Sequence, residues 1–171
     1  MAIDVVQYNP TWPAAFEEER RRLSRVLGPW AIRIDHHGST AVPGLAAKPI
    51  IDIQISVVAL DPLTPFIDAL VPLGYVHVAH PDDERCPFLH RPSEWPHTHH
   101  LHFVRTGSGE EWATLAFRDY LRSHPDAAAE YGSLKRELAT RHRGDTFASR
   151  EAYAAAKSAF VARVLSIARS P

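Results

Sequence analysis

The sequence predicts an α+β fold with α/β-like alternation and a helical C-terminal part. Three observations carry this reading. Apolar residues recur at helical spacing before Gly28, those of Ile50 to Val57 alternate at strand spacing, and beyond Val104 the pattern is helical throughout.

Tyr8-Asn9-Pro10-Thr11-Trp12-Pro13 reads as a turn and a helix start, with Thr11 as N-cap and Pro13 in the first turn. Trp12, Phe16, Leu23, Val26 and Leu27 form the apolar stripe; Glu17, Glu18, Arg21 and Arg22 take the wet side, and Gly28-Pro29 ends the helix. Ala31 to His36 reads as a strand leading into a glycine turn at His37-Gly38-Ser39-Thr40. In the strand from Ile50 to Val57, Ile51, Ile53, Ile55 and Val57 take one face while Asp52, Gln54 and Ser56 take the other. A helix from Leu63 to Leu73 closes at Gly74, and Tyr75 to Ala79 follows as a strand. Pro81 to Pro96 reads as loop around a short strand near Phe88-Leu89. Thr98 to Val104 is the next strand, with Thr98, His100 and His102 on one face and His99, Leu101 and Phe103 on the other. Three helices complete the chain. The first carries Trp112, Ala116 and Tyr120, and the second opens at Pro125-Asp126 with Ala127, Tyr131, Leu134 and Leu138. The third follows Ser149, with Tyr153, Ala156, Phe160, Val164 and Ala168.

The 171 residues suit one domain, 1–171, able to bury a sizeable core. Nineteen basic and 20 acidic residues give a net charge of −1, so no general field draws the chain to nucleic acid. Cys86 is the single cysteine, which excludes an internal disulfide and fits a reducing compartment. No signal-peptide pattern and no apolar run of the roughly 20 residues a membrane helix needs are found, so a cytoplasmic protein without a membrane partner is expected. The histidines are unusual: there are 11, crowded between His77 and His102.

Two constellations carry chemistry. Twelve residues, Thr40 to Ile51, separate Ser39 in the glycine turn from Asp52 on the polar face of its strand. Glycine lets backbone N–H groups approach a phosphate, and a carboxylate holds a metal that bridges its oxygens. His100 and His102, two apart on one strand face, suit a shared metal that Asp52 would complete. Such a donor set favours Zn, Fe, Ni or Mn over Mg. Without a metal, the same histidines would hydrogen-bond a substrate or each other, or act as a base. His97 and His99 read as extras, and Cys86 as incidental. Lys48 is placed to reach a phosphate or carboxylate, Arg118 to cross toward the site or pair with Asp119 or Glu110, and Arg85 to clamp a substrate. Lys135 and Arg136 read as solvent-facing. No nucleophile elbow, Walker loop, dinucleotide glycine motif or His-Glu-x-x-His helix is present.

The Gly-Ser turn followed by Asp52 resembles nucleotidyltransferase-fold proteins, which place such a pair at a helix start before a strand bearing acid-x-acid. A longer match runs from His36-His37-Gly38-Ser39-Thr40-Ala41-Val42-Pro43-Gly44-Leu45 through Ala46-Ala47-Lys48-Pro49-Ile50-Ile51-Asp52. With Thr98-His99-His100-Leu101-His102, Phe117-Arg118-Asp119-Tyr120-Leu121-Arg122 and Tyr131-Gly132-Ser133-Leu134-Lys135, it resembles the GrpB family from about Val5 to Val164. That resemblance implies a nucleotidyltransferase-like mixed sheet, in a family also found fused to some bacterial dephospho-coenzyme A kinases. It implies a small phosphorylated ligand or nucleotide, with a nucleoside triphosphate as substrate and Mg, Mn or Zn as divalent metal. Asp52, His100 and His102 would then be ligands and catalytic groups, and Gly38, Ser39, Thr40, Lys48, Gln54 and Arg118 substrate contacts. The pattern departs from acid-x-acid at Gln54, and the Thr98 to Val104 strand offers imidazoles where a third acid would sit, so at most one protein-held metal is expected. A non-catalytic sensor, a chaperone-like module and a His/His/Asp metalloenzyme of other chemistry stand as alternatives.

Overall fold

A computed structural model of the chain describes residues 5–141 and 146–169. Helix α1 (Trp12–Leu27) begins where the Asn-Pro-Thr-Trp-Pro turn predicts, but Thr11 makes no capping hydrogen bond with its side chain. Asn9 organises the turn instead, its Oδ1 accepting from the amide and the hydroxyl of Thr11 at 2.9 and 2.8 Å. An Asx side chain can satisfy the backbone two residues on, which relieves Thr11 of that duty.

Five strands follow: β1 (Arg33–His37), β2 (Ile51–Val57), β3 (Val76–His77), β4 (Phe88–Arg91) and β5 (His99–Arg105). They form one mixed sheet in the order β1-β2-β5-β4-β3, in which only β2 and β5 pair in parallel. Helix α2 (Thr64–Leu70) lies in the crossover between that parallel pair. The strand expected at Tyr75 to Ala79 is shorter than its pattern predicts, because only Val76 and His77 find ladder partners on β4.

Ile51, Ile53, Ile55 and Val57 are buried against α1, α2, Leu101 and Phe103, which fixes one face of β2. The opposite, polar face is covered for most of its length. Gln54 and Ser56 are fully buried, and Gln54 Nε2 donates to the Glu111 carbonyl at the start of helix α3 (Gly109–Ser123). A central strand covered on both sides is interior on both sides. Only the Asp52 end of this face stays open, half-buried.

Helix α4 (Pro125–Arg141) follows α3. The single helix expected after Ser149 is two, α5 (Phe147–Ala155) and α6 (Ser158–Arg169). Their apolar stripe is shared between different clusters. Tyr153 packs with Leu138, whereas Phe160 and Val164 pack with Val42, Leu45, Leu121 and Tyr131. No helix among the described residues is long and apolar enough to cross a membrane.

On the α1 side of the sheet lies a buried ionic network. Glu19 is 2% exposed, and its carboxylate receives Arg91 Nη1 and Nη2 at 3.1 Å each and the Tyr75 hydroxyl at 3.0 Å. Arg91 Nη2 also reaches His99 Nδ1 at 3.0 Å, so the network spans α1, β4 and β5. Removing one member of a buried pair leaves the other charge uncompensated. Glu19→Ala is therefore expected to destabilise the fold by about 3 kcal/mol, and Tyr75→Phe by about 1.5 kcal/mol through one lost hydrogen bond to a charged group. Urea denaturation of the three proteins checks this; a Glu19→Ala loss below about 1 kcal/mol would mean the pair is no better than a surface one.

Candidate functional site

The β2–β5 register sets Asp52 opposite His100 and Gln54 opposite His102, while the β1–β2 register sets His37 opposite Asp52. Directly paired residues share a face. The sequence parity of His100 and His102 is thus realised in space, and His99 is turned away to Arg91 and Glu19 as expected. Thr98 does not join the cluster: it is exposed, and its hydroxyl donates to the Arg91 carbonyl at 3.2 Å and lies 2.9 Å from His99 Nδ1. It precedes the first ladder residue of β5, so strand parity does not govern it.

One ligand atom from each of Asp52, His100 and His102 lies within 4.8 Å of the others, a spacing that suits a shared cation. His100 Nδ1 sits 3.2 Å from Asp52 Oδ1, with the two side chains 20% and 26% exposed. The second nitrogens of both imidazoles are held from behind. His100 Nε2 lies 3.0 Å from His97 Nδ1, and His102 Nδ1 lies 3.9 Å from the Cys86 sulfur. Outer partners of this kind fix ring orientation and tautomer for a metal-binding histidine. Sequence reasoning treated both His97 and Cys86 as incidental; no spacing rule links them to β5, because the loop before β5 and the segment before β4 bring them there.

Burial pushes the His102 imidazole down to about 4, despite the favourable field of Asp52, and pushes His37 down to about 3 with help from His102. Both rings are therefore neutral near pH 7, the form that binds a metal. Burial would raise the Asp52 carboxyl, but the hydrogen bond to His100 and the fields of His100, His37 and His102 hold it well below the usual carboxylate range. Burial also pushes the Cys86 thiol up to about 11, so it stays protonated. A carboxylate and two imidazoles fit Zn or Mn better than Mg, which prefers oxygen.

The glycine turn lies directly on this cluster. Gly38 has φ 67° and ψ −170°, and a Cβ there would stand 2.9 Å from Asp52 Cβ, inside any real contact distance. Glycine is required at this position both by the backbone conformation and by the closeness of the carboxylate. Ser39 begins a short 3-10 turn, Ser39–Ala41, rather than the longer helix that the resemblance implies. Helix α3 clamps the turn from outside: Arg118 Nη1 donates to the His36 carbonyl at 3.0 Å and Arg122 Nε to the Ala41 carbonyl at 2.9 Å. Arg118 also pairs with Asp119 through Nε at 2.7 Å, so the residue crosses to β1 as a brace.

Two expected ligand contacts need correction. Thr40 is 1% exposed, its hydroxyl donating to the Ile50 carbonyl at 3.1 Å and meeting His36 Nε2 at 3.0 Å. Gln54 is sealed beneath α3. Both hold the turn and the strand rather than face the opening. Arg85 is engaged by Glu110, its Nε donating to Oε1 at 2.8 Å, and is exposed rather than clamped over the site.

One lysine is misplaced by sequence reasoning. Lys135 is 2% exposed, not solvent-facing, and its ammonium donates to the Ala46 carbonyl and lies 4.8 Å from the centre of the Tyr131 ring. Lys157, at the α5–α6 break, lies 4.5 Å from the centre of the Tyr153 ring, and Lys48 lies 4.2 Å from it on its own approach. The signal was available: Lys135 is four residues after Tyr131 and three before Leu138, so helical geometry puts it on the buried stripe. Burial pushes Lys135 down to about 7, with Lys157 adding to the effect and Asp52 opposing it; burial also lowers Lys157, again against the pull of Asp52.

Two outcomes are expected from this geometry. Gly38→Ala should destabilise the fold by about 2 kcal/mol or more, since strained backbone and a forced shift of Asp52 coincide; thermal and urea unfolding measure it. Second, the unfolded chain keeps its lysines protonated to about pH 10.4, whereas folded Lys135 releases its proton near 7. The unfolded state then binds more protons above pH 7, so this lysine makes stability rise with pH across the window from about 7 to 9, by at most about 1.4 kcal/mol per pH unit. Lys135→Met should flatten that slope; an equally steep slope in the variant would assign it to other groups.

The GrpB protein family matches residues 2–166. The UPF0157 protein YqkA of Bacillus subtilis is 37% identical over 140 residues, which is 82% of this chain and 40% of YqkA, so the chain spans well under half of that relative. A dephospho-CoA kinase of Mycolicibacterium paratuberculosis is 33% identical over 179 residues, covering 91% of this chain and 43% of the kinase chain. Among solved structures, GrpB from Enterococcus faecalis superposes with a TM-score of 0.85 at 33% identity over 96% of both chains. A Cid1 poly(U) polymerase bound to MgATP superposes with a TM-score of 0.53 at 14% identity, over 80% of this chain and 45% of that one. That likeness shows a nucleotidyltransferase-like fold, and the family match over nearly the whole length shows that the chain belongs to the GrpB family.

Proposed function

We propose that the protein binds a nucleoside triphosphate or a similar phosphate ester, with a divalent cation, between the Gly38-Ser39 turn and Asp52. The observation that carries this reading is the convergence of Asp52, His100 and His102 beneath a glycine turn tight enough to exclude a Cβ. Gly38 and Ser39 would cradle phosphate, and Asp52 with the imidazoles would hold the cation, whose part is to offset charge on the phosphate oxygens. The reaction this arrangement supports best is nucleotidyl transfer to a small acceptor. An acceptor oxygen attacks the α-phosphorus, the bond to the oxygen bridging to the β-phosphate breaks, pyrophosphate leaves, and whichever of His100 and His102 is not holding the cation takes the acceptor's proton. The likeness to a polymerase bound to MgATP supports the nucleotide class. A net charge of −1 favours a small acceptor over a polynucleotide.

A second reading rests on Gln54. Position 54 is neutral, fully buried and without the second acid that a two-metal transferase shares between its ions. On that reading the fold binds its ligand and transfers nothing.

Calorimetry with Mn, Zn and Mg salts is expected to find one cation per chain, tighter for Mn or Zn than for Mg, and Asp52→Asn should abolish it. ATP with the cation should raise stability by roughly 2.7 kcal/mol at 100 times its dissociation constant. No stabilisation by any nucleotide, with or without cation, sinks the nucleotide reading. Stabilisation without turnover on a panel of small hydroxyl and amine acceptors selects the binding-only one.

A further inference from the structure

Arg118 and Arg122 stand one helical turn apart on α3, and each donates to a backbone carbonyl of the segment that carries Gly38 and Ser39. Arg118 Nη1 meets the His36 carbonyl at 3.0 Å, two residues before Gly38. Arg122 Nε meets the Ala41 carbonyl at 2.9 Å, two residues after Ser39. The glycine turn is therefore pinned at its entry and at its exit by one face of one helix. Its entry lies on β1, an edge strand, and the open side of an edge strand has no neighbouring strand to satisfy its backbone.

The two arginines share a counter-charge. Asp119 takes Arg118 through a fork, Nε to Oδ1 at 2.7 Å and Nη2 to Oδ2 at 3.0 Å, and the same Oδ1 lies 3.7 Å from Arg122 Nη1. Asp35 Oδ1 adds a second acid, 3.8 Å from Arg118 Nη1. All three nitrogens of the Arg118 guanidinium are thus committed in one plane, and its side chain is only 13% exposed. A guanidinium engaged in this way orients backbone and does not reach for a ligand.

The separation of the turn from Asp52 has little tolerance. Approach is limited by contact, because a Cβ on Gly38 would overlap the Asp52 carboxylate. Retreat is limited by hydrogen bonds: the Thr40 hydroxyl donates to the Ile50 carbonyl at 3.1 Å, and the two arginines hold the carbonyls on either side.

We infer that Arg118 and Arg122, with Asp119 as their shared counter-charge, are positioning residues that set the Gly38-Ser39 turn over Asp52 and act on a phosphate ligand through that turn, without touching it. This rests on the reading of the site as a phosphate-ester site and deepens it by assigning what fixes the cradle. Backbone N–H groups serve a phosphate well only when they are already held in place, since ordering them at the moment of binding costs affinity. On the same reading the cation belongs to Asp52, His100 and His102, so the bracket matters for the phosphate and not for the cation.

Calorimetry and amide hydrogen exchange on the full chain test this with Arg118→Ala, Arg122→Ala, Arg118→Lys and Arg122→Lys. The amides of Ala41 and Val42 donate to the Gly38 and Ser39 carbonyls at 3.3 and 3.2 Å, and both residues are buried, so their exchange reports whether the turn stays closed. In each alanine variant these two amides should exchange at least about tenfold faster while those of β2 and β5 keep their rates. ATP affinity in the presence of Mn should fall about tenfold, the scale of one hydrogen bond from a charged donor. Mn alone should bind as it does to the wild type. Arg122→Lys keeps a donor for the Ala41 carbonyl and should recover most of the protection. Arg118→Lys cannot serve Asp119 and the His36 carbonyl as a fork and should recover little. The lysine variants keep the charge and carry the same comparison if an alanine variant misfolds. Unchanged exchange at Ala41 and Val42 overturns the bracket, whatever the nucleotide does. A loss of ATP affinity without faster exchange also overturns it, because it puts the guanidinium groups on the phosphates; so does a loss of Mn affinity as large as that of ATP. Faster exchange in the variants of a chain that binds no nucleotide keeps the bracket's hold on the turn and removes the nucleotide reading.

Discussion

Asp52 and His100 meet because β2 and β5 run parallel with Ile51 opposite His99, and every feature of the site depends on that pairing. A slip of one residue would turn His100 and His102 into the apolar core and bring Leu101 to Asp52. The other face prevents it: Ile51, Ile53 and Ile55 are packed against Leu101 and Phe103 beneath α1 and α2, with Ile53, Ile55, Leu101 and Phe103 fully buried. Burial of apolar surface on one face thus sets the polar geometry on the other. β1 extends the arrangement, since its antiparallel register brings His37 to Asp52 and delivers the chain at Gly38 directly onto the carboxylate.

The two faces of the sheet treat buried charge in opposite ways. Beneath α1, the ion pair of Glu19 with Arg91 is closed by Tyr75 and His99, and a matched network of this kind ties elements together. Beneath α4 and α5, Lys135 is buried against a carbonyl and a ring. Stability spent on the second arrangement has no structural return, because an apolar residue would pack there at less cost. Strain of this kind is characteristic of sites whose partner arrives from solution.

Much of the architecture was legible in the residues. The period-two alternation of Ile51 to Val57 placed β2 and the side of Asp52, and the parity of β5 placed His100 and His102 together with His99 turned away. What sequence could not supply was the cover over the polar face. Alternation puts Gln54 and Ser56 on the polar face with Asp52, but polarity does not distinguish an open site from a helix such as α3 that brings a carbonyl to meet it. Lys135 is hidden for a related reason: its charge suggests solvent, while its place on the Tyr131–Leu138 stripe buries it. His97 and Cys86 were out of reach altogether, since their contacts with His100 and His102 depend on irregular segments whose paths leave no period.

Position 54 gives the last step. An acid there would sit on the Asp52 face opposite His102, where the acid-x-acid pattern expects it. In this chain the side chain at 54 is fully buried and donates its amide N–H to the Glu111 carbonyl, a bond that a carboxylate cannot make. Two acceptors would then face each other in a dry space, and the added charge would be unpaired. Glutamine is therefore what the packing of α3 on β2 demands, and the site is left with Asp52 as its one central carboxylate. With two imidazoles beside it where further acids would stand, the site offers a cation one carboxylate. A site built this way holds at most one cation on its own residues, and the further negative charge that a second one needs has to come in with the phosphates.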